Sequence, residues 1–311
     1  MNLERAKGAL NLEPGTRRRR LPLVSVILPT YNRAAWVAEA VDSVLDQEGP
    51  SFELIVVDDG SVDETPKVLA AYGHRLQVLR LERGGVSRAR NRGVVISHGE
   101  FLAFLDSDDL WLPGKLAAQV AFMAAHPEMS ICQTEEIWIR NGRRVNPRQR
   151  HRKAAGLFFE RSLELCLVSP SAVMMRRSLF EALGGFDESL PACEDYDLWL
   201  RIGCRHPVGL IDAPLVVKRG GHGDQLSRMP GLDRFRIRAI AGLLAAGILD
   251  SGQQRAAVSV LRTKCRIYAA GCRKRGRLAE ADFYETLAAD PLSVSAETFS
   301  KITPNTASVF P

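Results

Sequence analysis

Three acidic clusters, one glycine-arginine segment and one histidine-bearing loop carry the residue types that can do chemistry. Asp106-Ser107-Asp108-Asp109 packs three carboxylates into four residues, directly after an apolar run at 101–105. Such carboxylates repel one another unless a cation or strong donors lie beside them. A hard divalent cation takes oxygen ligands of this kind and bridges phosphate oxygens; the same residues can instead cap the helix that follows Pro113. Asp58-Asp59-Gly60-Ser61 closes a second apolar run, at 53–57. A carboxylate there can accept a hydrogen bond from a base nitrogen or a ribose hydroxyl, or can simply close a turn. Gly84-Gly85 leads into a helix start bearing Arg88, Arg90 and Arg92. Helix N-termini and arginines both suit phosphate, while a solvated cationic face is the plainer reading. The spacing matches neither a Walker loop nor a dinucleotide fingerprint. Glu194-Asp195, with Asp197 close behind, precedes an apolar helix, where a carboxylate can be a general base or a cap. His222 sits alone in the Gly-rich loop 220–225, a position more typical of a structural histidine than of a ligand.

The segments that must position these groups alternate between strand and helix. Buried strands are expected at 23–28, 53–57, 76–81 and 101–105, and helices at 34–45, 67–72, 87–97 and 115–125. Val-, Ile- and Leu-rich strands alternating with helices imply a mostly parallel sheet covered on both faces. Ligands bind outside the carboxyl ends of such strands, and three polar clusters fall there: Pro29-Thr30-Tyr31-Asn32, Asp58-Asp59 and Asp106 to Asp109. Farther on, strands are expected at 131–139, 172–175, 208–211 and 215–217. A turn is expected at Asn141-Gly142, and helices at 178–183 and 196–204. Residues 143–153 carry six Lys/Arg and no acid, which predicts an exposed loop.

The 311 residues hold 42 Lys+Arg against 36 Asp+Glu, a net charge of +6. That length can bury a sizeable core without staples. The composition excludes a collagen-like chain, wholesale disorder and a disulfide miniprotein. No apolar run approaches the roughly 18–20 residues of a spanning helix, and residues 1–20, ending in four arginines, read as a basic flexible leader rather than a signal peptide. The expected place is the cytoplasm, with peripheral contact to the inner face of the membrane as an option for the basic segments. The six cysteines form no CxxC pair and read as reduced thiols. From 232 the texture becomes helical; residues 218–290 hold 14 Lys/Arg against 7 Asp/Glu, a basic appendage. Residues 291–311 read as a tail.

In their order, these motifs resemble the family 2 glycosyltransferases. The resemblance rests on Val24 to Arg33, Val56 to Ser61, Gly84 to Gly93, Phe104 to Asp109, Gly184-Gly185-Phe186-Asp187-Glu188 and Glu194 to Leu198, and covers residues 21–230. It implies a GT-A fold, an α/β Rossmann-like sheet flanked by helices. The nucleotide-sugar half would occupy 21–125 and the acceptor half 126–230, with the 231–290 helices added. It further implies inverting transfer of a sugar from a nucleoside diphosphate sugar, UDP-linked by preference, assisted by Mn²⁺ or Mg²⁺. By motif match Pro29, Thr30, Tyr31 and Asp59 hold the nucleoside, and Asp106 and Asp108 form the DxD pair at ribose and metal. Asp195 is then the base with Glu194 beside it, and His222 lies near the diphosphate and metal. Arg88 and Arg92 are candidates for the leaving diphosphate. The acceptor is expected to be a saccharide or a lipid-linked precursor. A silent scaffold of the same fold is the competing reading, disfavoured because all four carboxylates are present. Nucleic-acid binding is disfavoured because the basic stretches lack interleaved aromatics.

Overall fold

A computed structural model of the chain describes residues 21–223 and 225–293. Nine strands form one sheet: β1 Val24–Thr30, β2 Phe52–Asp58, β3 Gln77–Arg80, β4 Phe101–Phe104, β5 Leu110–Trp111, β6 Ile131–Arg140, β7 Arg143–Val145, β8 Val173–Arg176 and β9 Gly209–Gly220. Ten α-helices accompany them among the described residues: α1 Val37–Leu45, α2 Thr65–Ala70, α3 Val86–Val95, α4 Lys115–Ala125, α5 Phe159–Glu164, α6 Arg177–Ala182, α7 Glu194–Gly203, α8 Asp233–Ala246, α9 Ser251–Lys274 and α10 Leu278–Ala289.

The strand order is β3-β2-β1-β4-β8-β6-β9-β5, with β7 paired to β6. The first four strands are parallel, as the alternation of strands and helices predicts, but the third is not the buried strand expected at 76–81: it lies at the edge of the sheet, with Gln77, Val78 and Arg80 exposed. Beyond β4 the sheet turns mixed: β8 runs antiparallel to both β4 and β6, and β9 runs parallel to β6. The register pairs Thr30 with Asp58 across β1 and β2, and Ile27 with Phe104 across β1 and β4. The chain therefore leaves β1, β2 and β4 at one edge. The order reverses at β1, whose successors lie on opposite sides of it, and a crevice opens at such a point.

One face of the sheet packs Val24, Val26 and Leu28 against Val37, Val41 and Val44 of α1 and Leu116 of α4. The other packs Ile27, Ile55 and Phe104 against Ala89 of α3 and against Leu198 and Trp199 of α7. Helix α3 comes close because of Gly93: a Cβ there would stand 2.5 Å from Ile27 Cγ2. Helix α7 has two apolar sides. Leu198, Trp199 and Ile202 meet the sheet, while Tyr196 and Leu200 join α5, α8, α9 and α10 in a separate helical core. The appendage thus shares its interior with the helix that carries Glu194 and Asp195.

Several local expectations change. The strands expected at 208–211 and 215–217 merge into β9, because register shifts opposite Pro214, which has no N–H to donate, absorb the interruption. The two-residue β5 was not foreseen. The basic loop 143–153 opens with β7, completing the hairpin whose Asn141 and Gly142 take φ of 48° and 73°. It ends at Lys153, which is buried and 3.2 Å from the equally buried Glu136. Lys115 of α4 is also fully buried, its Nζ donating to Gln119 Oε1 at 2.6 Å and lying 3.9 Å from the Trp111 ring centre. The leader at 1–20 and the tail from 294 lie outside the described residues.

Candidate active site

The crevice is built first by loops that tie the strand ends together. Asn32 takes φ of 50°, turning the chain after β1. The Asn32 N–H donates to Ser61 Oγ at 2.9 Å, the Val62 N–H to Asn32 Oδ1 at 2.9 Å and the Arg33 N–H to Thr65 Oγ1 at 2.8 Å. The turn after β1 and the loop after β2 are thus one body. Asp58, buried, accepts the Ser61 N–H at 2.9 Å and fixes that loop. Asp59, also buried, accepts the Gly84 N–H at 2.9 Å on one oxygen and the Gly85 N–H at 2.8 Å on the other. Gly85 has φ of 91°, a conformation L side chains rarely adopt. Burial raises the Asp59 carboxyl above the usual range; the two backbone donors and the charges of Arg88 and Arg83 oppose it.

Pro29 and Thr30 are buried at the end of β1. The Thr30 hydroxyl has no hydrogen-bond partner among the described residues. The Arg83 guanidinium lies 4.3 Å from the Tyr31 ring centre. Tyr31, Asp59 and the Gly84-Gly85 turn therefore converge, as the sequence motifs suggest. Arg88 donates to the Glu82 carbonyl at 3.0 Å and packs along the same turn. Arg92 is exposed on that outer face of α3.

The inward arginine is Arg90, which sequence reasoning passed over. It is 3% exposed. Its Nη2 donates to Asp106 Oδ1 and its Nη1 to Glu194 Oε1, each at 2.6 Å. One guanidinium therefore joins the strand-end aspartate of β4 to the first turn of α7. The two carboxylates hold Arg90 firmly charged against the cost of burial. Burial pushes Glu194 up to about 7, against the pull of Arg90 and with help from the neighbouring Asp195 charge.

The three carboxylates at 106–109 do three different things. Asp106 faces Arg90. Asp108 Oδ2 lies 2.7 Å from His222 Nε2; burial, then the charge of Asp106, raises its carboxyl. Asp109 is structural: fully enclosed, it accepts from the Ser171 hydroxyl at 2.7 Å and from the Arg219 N–H at 2.9 Å. That arrangement ties the loop to β8 and β9. None of them caps α4, whose N-cap is Gly114. Among the described residues, no group of three or more His, Cys, Asp or Glu forms a cage for a metal. His222 is thus drawn to the acidic loop, and its ring also meets Trp36 edge-on at 5.7 Å.

Asp195 is half-buried in the first turn of α7, where the helix dipole favours a carboxylate. Its Oδ1 accepts the Tyr196 N–H at 2.7 Å, and Cys166 Sγ lies 3.4 Å from Oδ2. Cys193, preceding it, takes φ of 62°, an uncommon conformation for a residue with a Cβ. A second cation, Lys218 of β9, donates to Ser169 Oγ at 3.0 Å. Burial works against the Lys218 charge, but Glu136, Asp109, Asp106 and Asp195 outweigh it and raise its pKa. Neither Arg90 nor Lys218 had been singled out from the sequence. For Arg90 the signal was there: it shares the i+3/i+4 row of α3 with Gly93 and Val94, the buried side.

The family model for glycosyl transferase family 2 matches residues 25–184. An uncharacterized glycosyltransferase of Rickettsia typhi is 35% identical over 209 residues, 66% of this chain and 65% of that protein. An Escherichia coli protein, the UDP-Glc:alpha-D-GlcNAc-diphosphoundecaprenol beta-1,3-glucosyltransferase WfgD, is 34% identical over 202 residues, 63% of this chain and 76% of the other. The chain spans less than two thirds of the length of the rickettsial relatives, down to about a third of the longer ones. Among solved structures, S. aureus TarS 1-349 in complex with UDP-GlcNAc superimposes with a TM-score of 0.68 at 22% identity, over 90% of this chain and 81% of that one. That likeness shows the GT-A fold. With the fold, the ordered motifs and the family match in agreement, the chain belongs to glycosyl transferase family 2.

Proposed function

We propose that the protein is an inverting glycosyltransferase that moves a sugar from a UDP-sugar to an acceptor hydroxyl by single displacement. The observation that carries this reading is the Arg90 bridge, which brings the strand-end aspartate Asp106 and the Glu194-Asp195 pair into one site. In the reaction the acceptor hydroxyl loses a proton as it attacks the anomeric carbon, and Asp195 accepts it. The carboxylate stands half-buried in the first turn of α7. Glu194 and Arg90 hold that turn at the level of Asp106. No covalent enzyme intermediate is needed.

The nucleoside lies against Pro29, Thr30, Tyr31 and the Gly84-Gly85 turn, whose shape Asp59 sets. The unpartnered Thr30 hydroxyl supports a polar ligand there. Arg88 stands closer to this turn than Arg92, and is the better placed of the two for phosphate. Asp108 and His222, face to face, offer an oxygen and a nitrogen to a divalent cation, with the rest of its shell left to phosphate oxygens and water. Such a cation, when bound, stabilises charge on the leaving diphosphate. Asp106, drawn to Arg90, is left for the ribose or the outer shell of the cation. The name of the E. coli relative supports UDP as the nucleotide and a diphosphoundecaprenol-linked saccharide as the acceptor.

The test is titration of the protein with UDP, GDP and dTDP, in Mn²⁺ and in EDTA, alongside the Asp195→Asn variant. UDP binding that needs the cation, with the variant binding UDP as well as wild type yet transferring no sugar, is the expected result. Transfer at the wild-type rate by that variant removes Asp195 from the role of base.

A further inference from the structure

Helix α9 presents a surface that the transfer chemistry does not use. Its 24 residues include four arginines, two lysines and no acid. At about 100° per residue, Arg255, Arg262, Arg266 and Arg273 fall within about 20° of a single line along the helix. All four are exposed. From the first to the last the line runs about 27 Å, at about 1.5 Å per residue. The residues between them on this face, Ser259, Thr263 and Ala270, are short and exposed, so they leave the guanidinium groups of Arg255, Arg262 and Arg266 open to solvent. On the reverse side Ala257, Leu261, Cys265 and Cys272 are locked in the helical core, so the face cannot roll away from solvent.

Other arginines of the appendage are neutralised within the fold. Arg236 lies 3.2 Å from Asp233, and Arg238 lies 3.3 Å from Asp187. Arg273 is paired with Asp282 and Glu285 on α10. Arg255, Arg262 and Arg266 have no ion pair or side-chain hydrogen bond among the described residues.

We propose that this arginine stripe docks the protein on an anionic lipid surface, α9 lying along the plane of the head-group phosphates. A straight, flat line of cations matches a plane of phosphates. The face carries no aromatic ring on which a nucleic-acid base could stack. Ile267, 60% exposed, flanks the stripe and can enter the head-group layer. The inference does not depend on the transfer reading, because docking needs neither donor nor acceptor. Because α9 and α7 share one core, a docked stripe also fixes the orientation of Asp195 relative to the bilayer.

The test is co-sedimentation of the full chain with vesicles of phosphatidylcholine, with and without phosphatidylglycerol. The chain should bind only the anionic vesicles and leave them at about 0.5 M salt, where the screening length falls below about 5 Å. The triple variant Arg255→Gln, Arg262→Gln, Arg266→Gln should bind about 100-fold more weakly at an unchanged melting temperature. The corresponding triple Lys variant should bind like wild type. Vesicle binding by the Gln triple equal to wild type overturns the proposal, as does wild type ignoring anionic vesicles. So does tighter retention of a single-stranded oligonucleotide than of vesicles, which would make the stripe a nucleic-acid surface.

Discussion

Lys115 makes folding stability depend on pH in a way that can be worked out in advance. Its ammonium is fully buried at the start of α4, where the helix dipole also opposes a cation. The side chain meets a neutral acceptor, Gln119 Oε1, and the face of Trp111. Burial lowers its pKa from 10.5 to about 7. Between those values the unfolded chain binds more protons than the folded one, so stability rises with pH across that window. Below about pH 7 the whole penalty is in force: a gap of about 3.5 pH units at 1.36 kcal/mol each, or about 5 kcal/mol. Lys115→Met keeps the length and removes the ionisation. It also strips Gln119 Oε1 of its donor, at a cost of about 1–3 kcal/mol. The variant should therefore be more stable than wild type by about 2–4 kcal/mol near pH 7. That advantage should shrink by about 1.4 kcal/mol per pH unit and reverse between about pH 8.5 and 10. Urea unfolding of both proteins at several pH values between about 6.5 and 9.5 measures this, and groups common to both cancel in the difference. A stability difference that stays constant across that range refutes the argument, because it would mean that Lys115 reaches solvent or an anion when charged.

The other predictions concern the site and its packing. Arg90→Gln leaves Asp106 and the buried Glu194 without their shared cation, and should cost about 3–5 kcal/mol by thermal or urea unfolding. The loss should be smaller at about pH 6 than at pH 8, since burial already lets Glu194 take a proton near 7. Asp59→Asn puts an amide where two backbone donors need acceptors, so UDP affinity by calorimetry should fall at least tenfold while the sheet stays folded. Asp108→Asn should raise the Mn²⁺ concentration needed for half-maximal UDP binding by calorimetry. Gly93→Ala forces a Cβ against Ile27 and Val57, and should lower stability by about 1–3 kcal/mol.

The parallel half of the fold was legible in the sequence because β1, β2 and β4 are mainly apolar runs that each end in a polar cluster, whereas β3, at the sheet edge, is mostly exposed. The bounds expected for α4, 115–125, match the helix found. What was not legible depends on pairing partners far along the chain. Two residues, Leu110-Trp111, become a strand only because β9 lies beside them. The basic loop hides a buried Lys153 because Glu136, seventeen positions earlier, awaits it inside. In the site, residue types at strand ends pointed to Asp59 and Asp106, and the acids ahead of an apolar helix pointed to Asp195. The choice among three arginines on α3 required knowing which side of the helix meets the sheet. Arg88 and Arg92, one turn apart, make the more obvious pair, yet Arg90 is the one turned inward.

The double-sided packing of α7 bears on how this protein can be rebuilt. A chimera between relatives cut at the end of the sheet would exchange the C-terminal helices as an independent cassette. Here such a cut would strip Tyr196 and Leu200 of the partners that seat the helix bearing Asp195. A new set of helices would have to reproduce their contours or let the turn bearing Asp195 drift relative to Asp106. The natural unit of exchange is therefore α5 and α7 together with α8, α9 and α10, a segment that crosses the boundary suggested by the sequence. Any change of acceptor obtained by trading that segment would carry its own copy of the proposed base.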